Sequence, residues 1–132
     1  DKRVSSDFAY KAAKKETLIL KSSGMQKRSY CYSIDTAAAI LTVLLKGKNS
    51  EAYNIGAGEA VSIKEMAEIY ANAGGVSLEY QEPSAMEKQA FNPMDNSSLD
   101  CTKIDRLRLQ AEFSVKEGLE HTVCILQEII KE

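Results

Sequence analysis

The stretch that decides the fold is RSYCYSID at residues 28–35, TAAAILTVLLK at 36–46 and, after a short polar link, EAYNIGAG at 51–58. Polar and apolar residues alternate from Arg28 to Ser33, the period of a half-buried strand. Asp35 stands where a helix N-cap is expected, and Lys46-Gly47 supplies the stop. Ala52 to Ile55 reads as a second strand, and Gly56-Ala57-Gly58 as a tight turn. Strand, helix and strand in that order predict an α/β fold. The helix between them is unusual, because Ala37, Ala38, Ile40, Leu41, Leu44 and Leu45 leave it almost no polar face. Such a helix has to be covered on most sides, which a domain of 132 residues can hardly arrange. The expectation is a fragment whose neighbour lies outside this sequence.

Upstream, Val4, Phe8 and Ala12 recur at helical spacing, so residues 5–15 are expected to form an amphipathic helix. Thr17 to Lys21 is a short β-rich run. Gly24 then predicts a turn pairing it with Arg28–Ser33. Downstream, Ser62-Ile-Lys-Glu65 spells a capping box for a helix ending at Gly74-Gly75, and Ser114-Val-Lys-Glu117 spells another for a final helix striped by Val115, Leu119, Val123, Leu126 and Ile130. Val76–Tyr80 reads as a strand, Gln81–Ser98 with Pro83 and Pro93 as an irregular loop, and Asp100–Lys103 as the start of a short helix.

A composition of 44% apolar and 27% charged residues fits one soluble globular domain. Ala37–Leu45 falls far short of the roughly 20 residues a membrane span needs, so no membrane partner is expected. Three widely spaced cysteines, expected as small core residues, and a single histidine, His121, indicate neither a disulfide framework nor a metal site. A cytoplasmic location is the default. Charge is uneven: residues 1–28 hold eight bases against three acids, while the whole chain is −2. An anionic ligand is expected near the front, although Lys11, Lys14 and Lys15 read most simply as a solvated helix face. Arg28 differs, because an arginine inside an alternating segment needs a specific anionic partner.

Four elements occur in order: R-V-x-x-x-F at Arg3–Phe8, G-x-Q-x-R-x-Y-x-Y-x-x-D at Gly24–Asp35, Y-N-I-G at Tyr53–Gly56 and L-D-x-T-K at Leu99–Lys103. In them residues 1–132 resemble the C-terminal, substrate-binding domain of extended short-chain dehydrogenase/reductases, the NAD-dependent nucleotide-sugar epimerases, dehydratases and decarboxylases. The resemblance implies a small mixed α/β substrate-binding lobe, with about five helices and four or five short strands, lacking its Rossmann domain. It also implies that the complete enzyme, a homodimer, binds NAD or NADP mainly through that missing domain and acts on a nucleoside-diphosphate hexose. The lobe alone is expected to be inactive.

The resemblance assigns Arg28 to the nucleotide diphosphate and Arg3 to the nucleotide or its phosphates. It runs Ile19, Leu20 and on to Gln26 along the nucleoside, with Gln26 a polar contact or an exposed turn residue. A planar guanidinium suits this task, because it donates two parallel hydrogen bonds and stays ionised. Asp35, Asn54 and Gly56 read as structural: a helix cap and the shaping of a strand exit. Gly56-Ala-Gly58 is not a dinucleotide fingerprint, since the third glycine would fall at Val61. Tyr10 and Lys14 spell the family's Y-x-x-x-K pair in the wrong place, so they read as an exposed helix face. The arginines that several members carry before L-D-x-S/T-K are absent from Met94–Ser98, which points to an unusual substrate or to another phosphate ligand such as Lys88, and the usual G-W is replaced by Gln110–Phe113. Tyr30, Tyr32 and His121 read as packing or rim residues. The alternative from another class is a stand-alone α/β interaction module whose basic front contacts nucleic acid or an acidic partner. Nucleic acid is not the expected partner, because no aromatics are interleaved with the bases.

Overall fold

The computed structural model describes residues 3–89, 91, 94–107 and 113–131, over which six helices and five short strands follow one another. Pro93 and Gln110 lie outside the described residues.

Three helices carry the main core: α1 (Val4–Ala13), α3 (Ile63–Gly74) and α6 (Val115–Lys131). Both predicted capping boxes form. The Ser62 hydroxyl accepts from the Glu65 amide at 3.0 Å while the Glu65 carboxylate accepts from the Ser62 amide at 2.7 Å, satisfying two first-turn donors of α3. Ser114 and Glu117 do the same for α6. Helix α3 ends at Gly75 in the left-handed conformation, φ 62°. Its last residue, Gly74, lies so close to α1 that a Cβ there would stand 2.7 Å from the Ala12 carbonyl oxygen. Phe8, Ala12, Met66, Ala67, Tyr70, Leu119 and Val123 fill the space between the helices, together with Leu18 and Leu20.

Strand β1 (Leu18–Leu20) supplies those two leucines and pairs in parallel with β4 (Leu78–Tyr80). Strand β2 (Lys27–Arg28) lies in a second sheet, between β3 (Val61–Ser62), antiparallel to it, and β5 (Asn96–Ser97), parallel to it. The expected pairing of the two front strands through Gly24 therefore does not form. The Gly24 and Gln26 carbonyls accept from the Lys64 and Ile63 amides, so the turn runs against the start of α3 instead of folding back along β1. The strand expected over Arg28–Ser33 is also shorter, because its two neighbours are two residues long.

Helix α2 (Ser33–Lys46) follows almost directly, with Tyr32 at its N-cap position. Asp35 is thus not the cap. It is buried in the first turn, where its carboxylate accepts from the Phe113 amide at 3.3 Å and ties α2 to the segment before α6. Ala52–Ile55 does not form a strand. The expected irregular loop contains α4 (Ala85–Gln89) and β5, and α5 (Thr102–Asp105) follows. Around α2 sits a second, small cluster of Ala39, Cys101 and Ile104, flanked by Val43, Tyr53, Ile55 and Leu107. Of the three cysteines only Cys101 is a core residue, since Cys31 is half-buried and Cys124 exposed. No helix among the described residues is long and apolar enough to cross a membrane.

Candidate functional site

Arg28 sits on the central strand of the three-stranded sheet, half-buried. Its Nη1 donates to the Lys27 carbonyl at 2.7 Å and to the Met94 carbonyl at 3.0 Å. Two acceptors on one nitrogen fix the plane of the guanidinium. The opposite edge, Nε and Nη2, makes no hydrogen bond among the described residues, and its two N–H bonds point the same way. The Met94–Ser98 stretch, which lacks the family's arginines, therefore supplies the carbonyl that aims Arg28.

Two residues on, Tyr30 borders a cleft of about 550 Å³ between the first two turns of α1, residues 30–33 and the first half of α6. Burial pushes the Tyr30 phenol up, the neighbouring Tyr70 adds to the rise and Arg28 opposes it, so all three share one electrostatic neighbourhood. The Tyr70 hydroxyl, itself pushed up by burial, lies 3.1 Å from the Ser5 hydroxyl.

The starts of α1 and α6 line this cleft and their ends line a second cavity of about 440 Å³, so the two helices run in the same direction. Their positive poles face the Tyr30 side. Helix α3 also begins there, because β3 leads into it and pairs with β2. The starts of α3 and α6 are capped by their own serine and glutamate side chains, whereas Arg3, the N-cap of α1, makes no side-chain cap bond.

The other sequence-nominated residues fall in different places. Gln26 is half-buried and holds the Ile63 amide through its main chain. Ile19 faces outward on β1. Leu20 is 3% exposed with its side chain in the core, and its carbonyl is taken by the Gln81 amide. Asn54 donates to the Asp100 carbonyl at 3.0 Å, and a Cβ at Gly56 would stand 3.3 Å from the Cys101 sulfur, so both hold the L-D-x-T-K segment against the Y-N-I-G segment. Lys14 lies 4.6 Å from the centroid of the Tyr10 ring, a cation over a ring face instead of beside the phenol oxygen. Lys88 is exposed on α4.

Most of the basic front is engaged one residue at a time. Lys11 pairs with Asp7, Lys15 donates to the Gly74 carbonyl, and Lys21 pairs with Glu87 at 2.6 Å. The Lys21 hydrogen bond, then the Ser84 amide and hydroxyl, push the Glu87 carboxyl down to about 2. Sequence reasoning missed this pair, although Ser84-Ala-Met-Glu87 carries the same capping-box spacing that located α3 and α6. Tyr32 and His121, read from the sequence as packing or rim residues, meet each other and Phe113: the Tyr32 hydroxyl lies 2.7 Å from His121 Nδ1 and the Phe113 and His121 rings stack with centroids 5.8 Å apart, a contact the sequence reading did not foresee. Nothing local in the sequence joins residues so far apart along the chain.

A family model described as the NAD dependent epimerase/dehydratase family matches residues 1–56. The low-salt glycan biosynthesis protein Agl12 of Haloferax volcanii is 34% identical over 119 residues, 88% of this chain and 36% of that protein. A dTDP-D-glucose 4,6-dehydratase of Homo sapiens is 43% identical over 107 residues, 76% of this chain and 30% of that protein. The chain therefore spans about a third of the length of these curated relatives. Among solved structures, the UDP-glucose 4-epimerase of Thermotoga maritima, crystallised with UDP-glucose, superposes with a TM-score of 0.79 at 25% identity, covering 97% of this chain and 40% of that one. The UDP-N-acetylglucosamine 4-epimerase of Bacillus cereus gives 0.78 at 22% identity and supports the fold alone.

Proposed function

Because the chain belongs to the NAD dependent epimerase/dehydratase family, we propose that it is the lobe that grips the diphosphate of a nucleotide sugar. The observation that carries this reading is the Arg28 guanidinium, held through Nη1 by two carbonyls with its Nε–Nη2 edge left open. That edge matches the spacing of phosphoryl oxygens, and the positive pole at the start of α1 faces the same side. Gln26 and Ile19 flank the nucleoside, while Leu20 contributes by seating β1 in the core. The substrate is a nucleoside-diphosphate hexose, as in the names of the relatives.

The residues present do not fit a dinucleotide of their own. Gly56-Ala-Gly58 leads into strand β3 instead of a helix, and the third glycine position is Val61 within that strand. Redox chemistry with NAD therefore belongs to residues beyond this chain. Here the work is orientation: binding the diphosphate, remote from the reacting sugar carbons, places the hexose and lowers the barrier by restricting its motion. A nucleic-acid role is disfavoured by the lysines, which are committed one by one to Asp7, Gly74 and Glu87 instead of forming a platform.

Calorimetric titration with UDP and dTDP tests the reading. Arg28→Ala should weaken binding about 10- to 100-fold, the worth of hydrogen bonds to a charged group. Diphosphate binding that ignores Arg28→Ala overturns it. So does tighter binding of a DNA oligomer with a steep salt slope.

A further inference from the structure

Two cysteines far apart in the sequence meet across one turn. Cys101, 9% exposed, packs its sulfur against Gly56, where a Cβ would stand 3.3 Å away, and its thiol donates to the Leu99 carbonyl at 3.7 Å. Cys31 reaches the same turn from the strand that carries Arg28. Side chains alternate along this extended stretch: Tyr32 meets His121 at the cleft rim, whereas Ser29 donates to the Ala57 carbonyl at 3.1 Å. Cys31, two residues after Ser29, therefore lies on the side of Gly56 and Ala57.

The backbones that carry the two thiols run together. Arg28 is abreast of Ser97 in the parallel pair β2–β5, and the Ser29 amide donates to the Ser97 carbonyl at 3.3 Å, so the segments leading to Cys31 and Cys101 leave the sheet as neighbours. Neighbouring strands are about 4.8 Å apart, inside the range of roughly 4.4–6.8 Å between Cα atoms that a disulfide spans. Burial, then the Asp105 and Asp100 carboxylates, then Cys31 itself push the Cys101 thiol up, against a hydrogen bond from the Gly56 main chain, so the two sulfurs share one electrostatic neighbourhood.

We infer that Cys31 and Cys101, both free thiols in this structure, are the two halves of a reversible disulfide that staples β2 to the segment following β5. The oxidant is a small-molecule disulfide. The thiolate of the half-buried Cys31 attacks one of its sulfurs, forming a mixed disulfide and releasing one small thiolate; Cys101 then gives its proton to solvent, attacks the Cys31 sulfur and releases the second. Two protein thiols are thereby oxidised by two electrons, and one small disulfide is reduced to two thiols. Cys101 acts second because it is enclosed and its thiol stays largely protonated near neutral pH. The staple joins the two segments whose contact, from Arg28 to the Met94 carbonyl, sets the guanidinium plane.

The test treats the folded chain carrying Cys124→Ser, which removes the exposed third thiol, with oxidised glutathione and maps the products by mass spectrometry without reduction. The expected product has lost two hydrogens, links the Cys31 and Cys101 peptides and reverts with dithiothreitol. Cys101→Ala should stop at a glutathione adduct on Cys31, and Cys31→Ser should leave Cys101 unreacted over the same time. In the linked form the Lys27 and Ser29 amides, which donate to the Asp95 and Ser97 carbonyls across the same pair of strands, should exchange about threefold more slowly or better, and the Tm should rise by several degrees. An adduct that stays on Cys31 while Cys101 is present, a link that forms only once urea has unfolded the chain, or a link that leaves those amides and the Tm unchanged overturns the inference. Should Cys101→Ala fail to fold, the peptide map with both cysteines present decides alone. None of these readouts involves a nucleotide, so they stand apart from the diphosphate reading.

Discussion

The three-helix region and the α2 region use the same kinds of residue to opposite ends. In the first, α1, α3 and α6 enclose Met66 and Val123 completely, and both cappable helix starts are closed by serine and glutamate pairs. In the second, α2 buries one face on a cluster with three buried members and turns its larger aliphatics outward. The first region is a finished core. The second is half a layer, and the putting together of the two explains how a short chain holds a shaped site yet leaves an apolar flank.

The largest effects should separate the two regions. Met66, with no exposure, lies on α3 within the main core, so Met66→Ala should cost about 2–5 kcal/mol in urea unfolding. Ile104→Ala removes a residue of similar burial from the small cluster and should cost clearly less, because few neighbours lose contacts. Equal losses would erase the distinction and make the α2 region as integral as the core.

Next in size are the caps. Ser62→Ala should destabilise by about 1 kcal/mol through loss of the first-turn acceptor. The cap also has a pH signature. The Glu65 carboxyl is held below its ordinary value by the Ser62 amide and hydroxyl, and Glu117 likewise by Ser114. A depressed folded value means support that is present above the unfolded pKa of about 4.3 and fades as pH falls through the lower folded value. Acid unfolding followed by circular dichroism should show Glu65→Gln converging on the parent protein below that range. A constant gap down to pH 2 would mean that the carboxylate takes no part.

These caps were also the most legible part of the sequence, because S-x-x-E is a local pattern and its partner is three residues away. Helix α1 and the stop at Gly75 were legible for the same reason. Strand partners were not: β1 with β4, and β2 with β5, join residues 60 or more positions apart through two or three rungs, too few to leave a periodic mark. The candidate site divides along the same line. Arg28 could be nominated from its alternating surroundings and the family likeness, but the Met94 carbonyl that fixes its plane is 66 residues away. Asp35 was read as a cap because a carboxylate before a helix usually is one. Its burial against Phe113 depends on where α6 begins, which no local rule conveys.

The smallest expected effect is the most diagnostic. Leu44 is 77% exposed, so Leu44→Glu removes little buried area, and glutamate is as good a helix former as leucine. Unfolding free energy of the chain alone should therefore stay within about 0.5 kcal/mol of the parent, the range of an ordinary surface change. The same replacement at Leu119, which is enclosed between α6 and the core, should prevent folding, since a carboxylate would be buried without a partner. One substitution on two helices of the same chain thus reads out which face is finished. If Leu44→Glu also costs more than 1 kcal/mol, with a dependence on protein concentration, the outer face of α2 is already covered in solution by another copy, and the half-layer description fails.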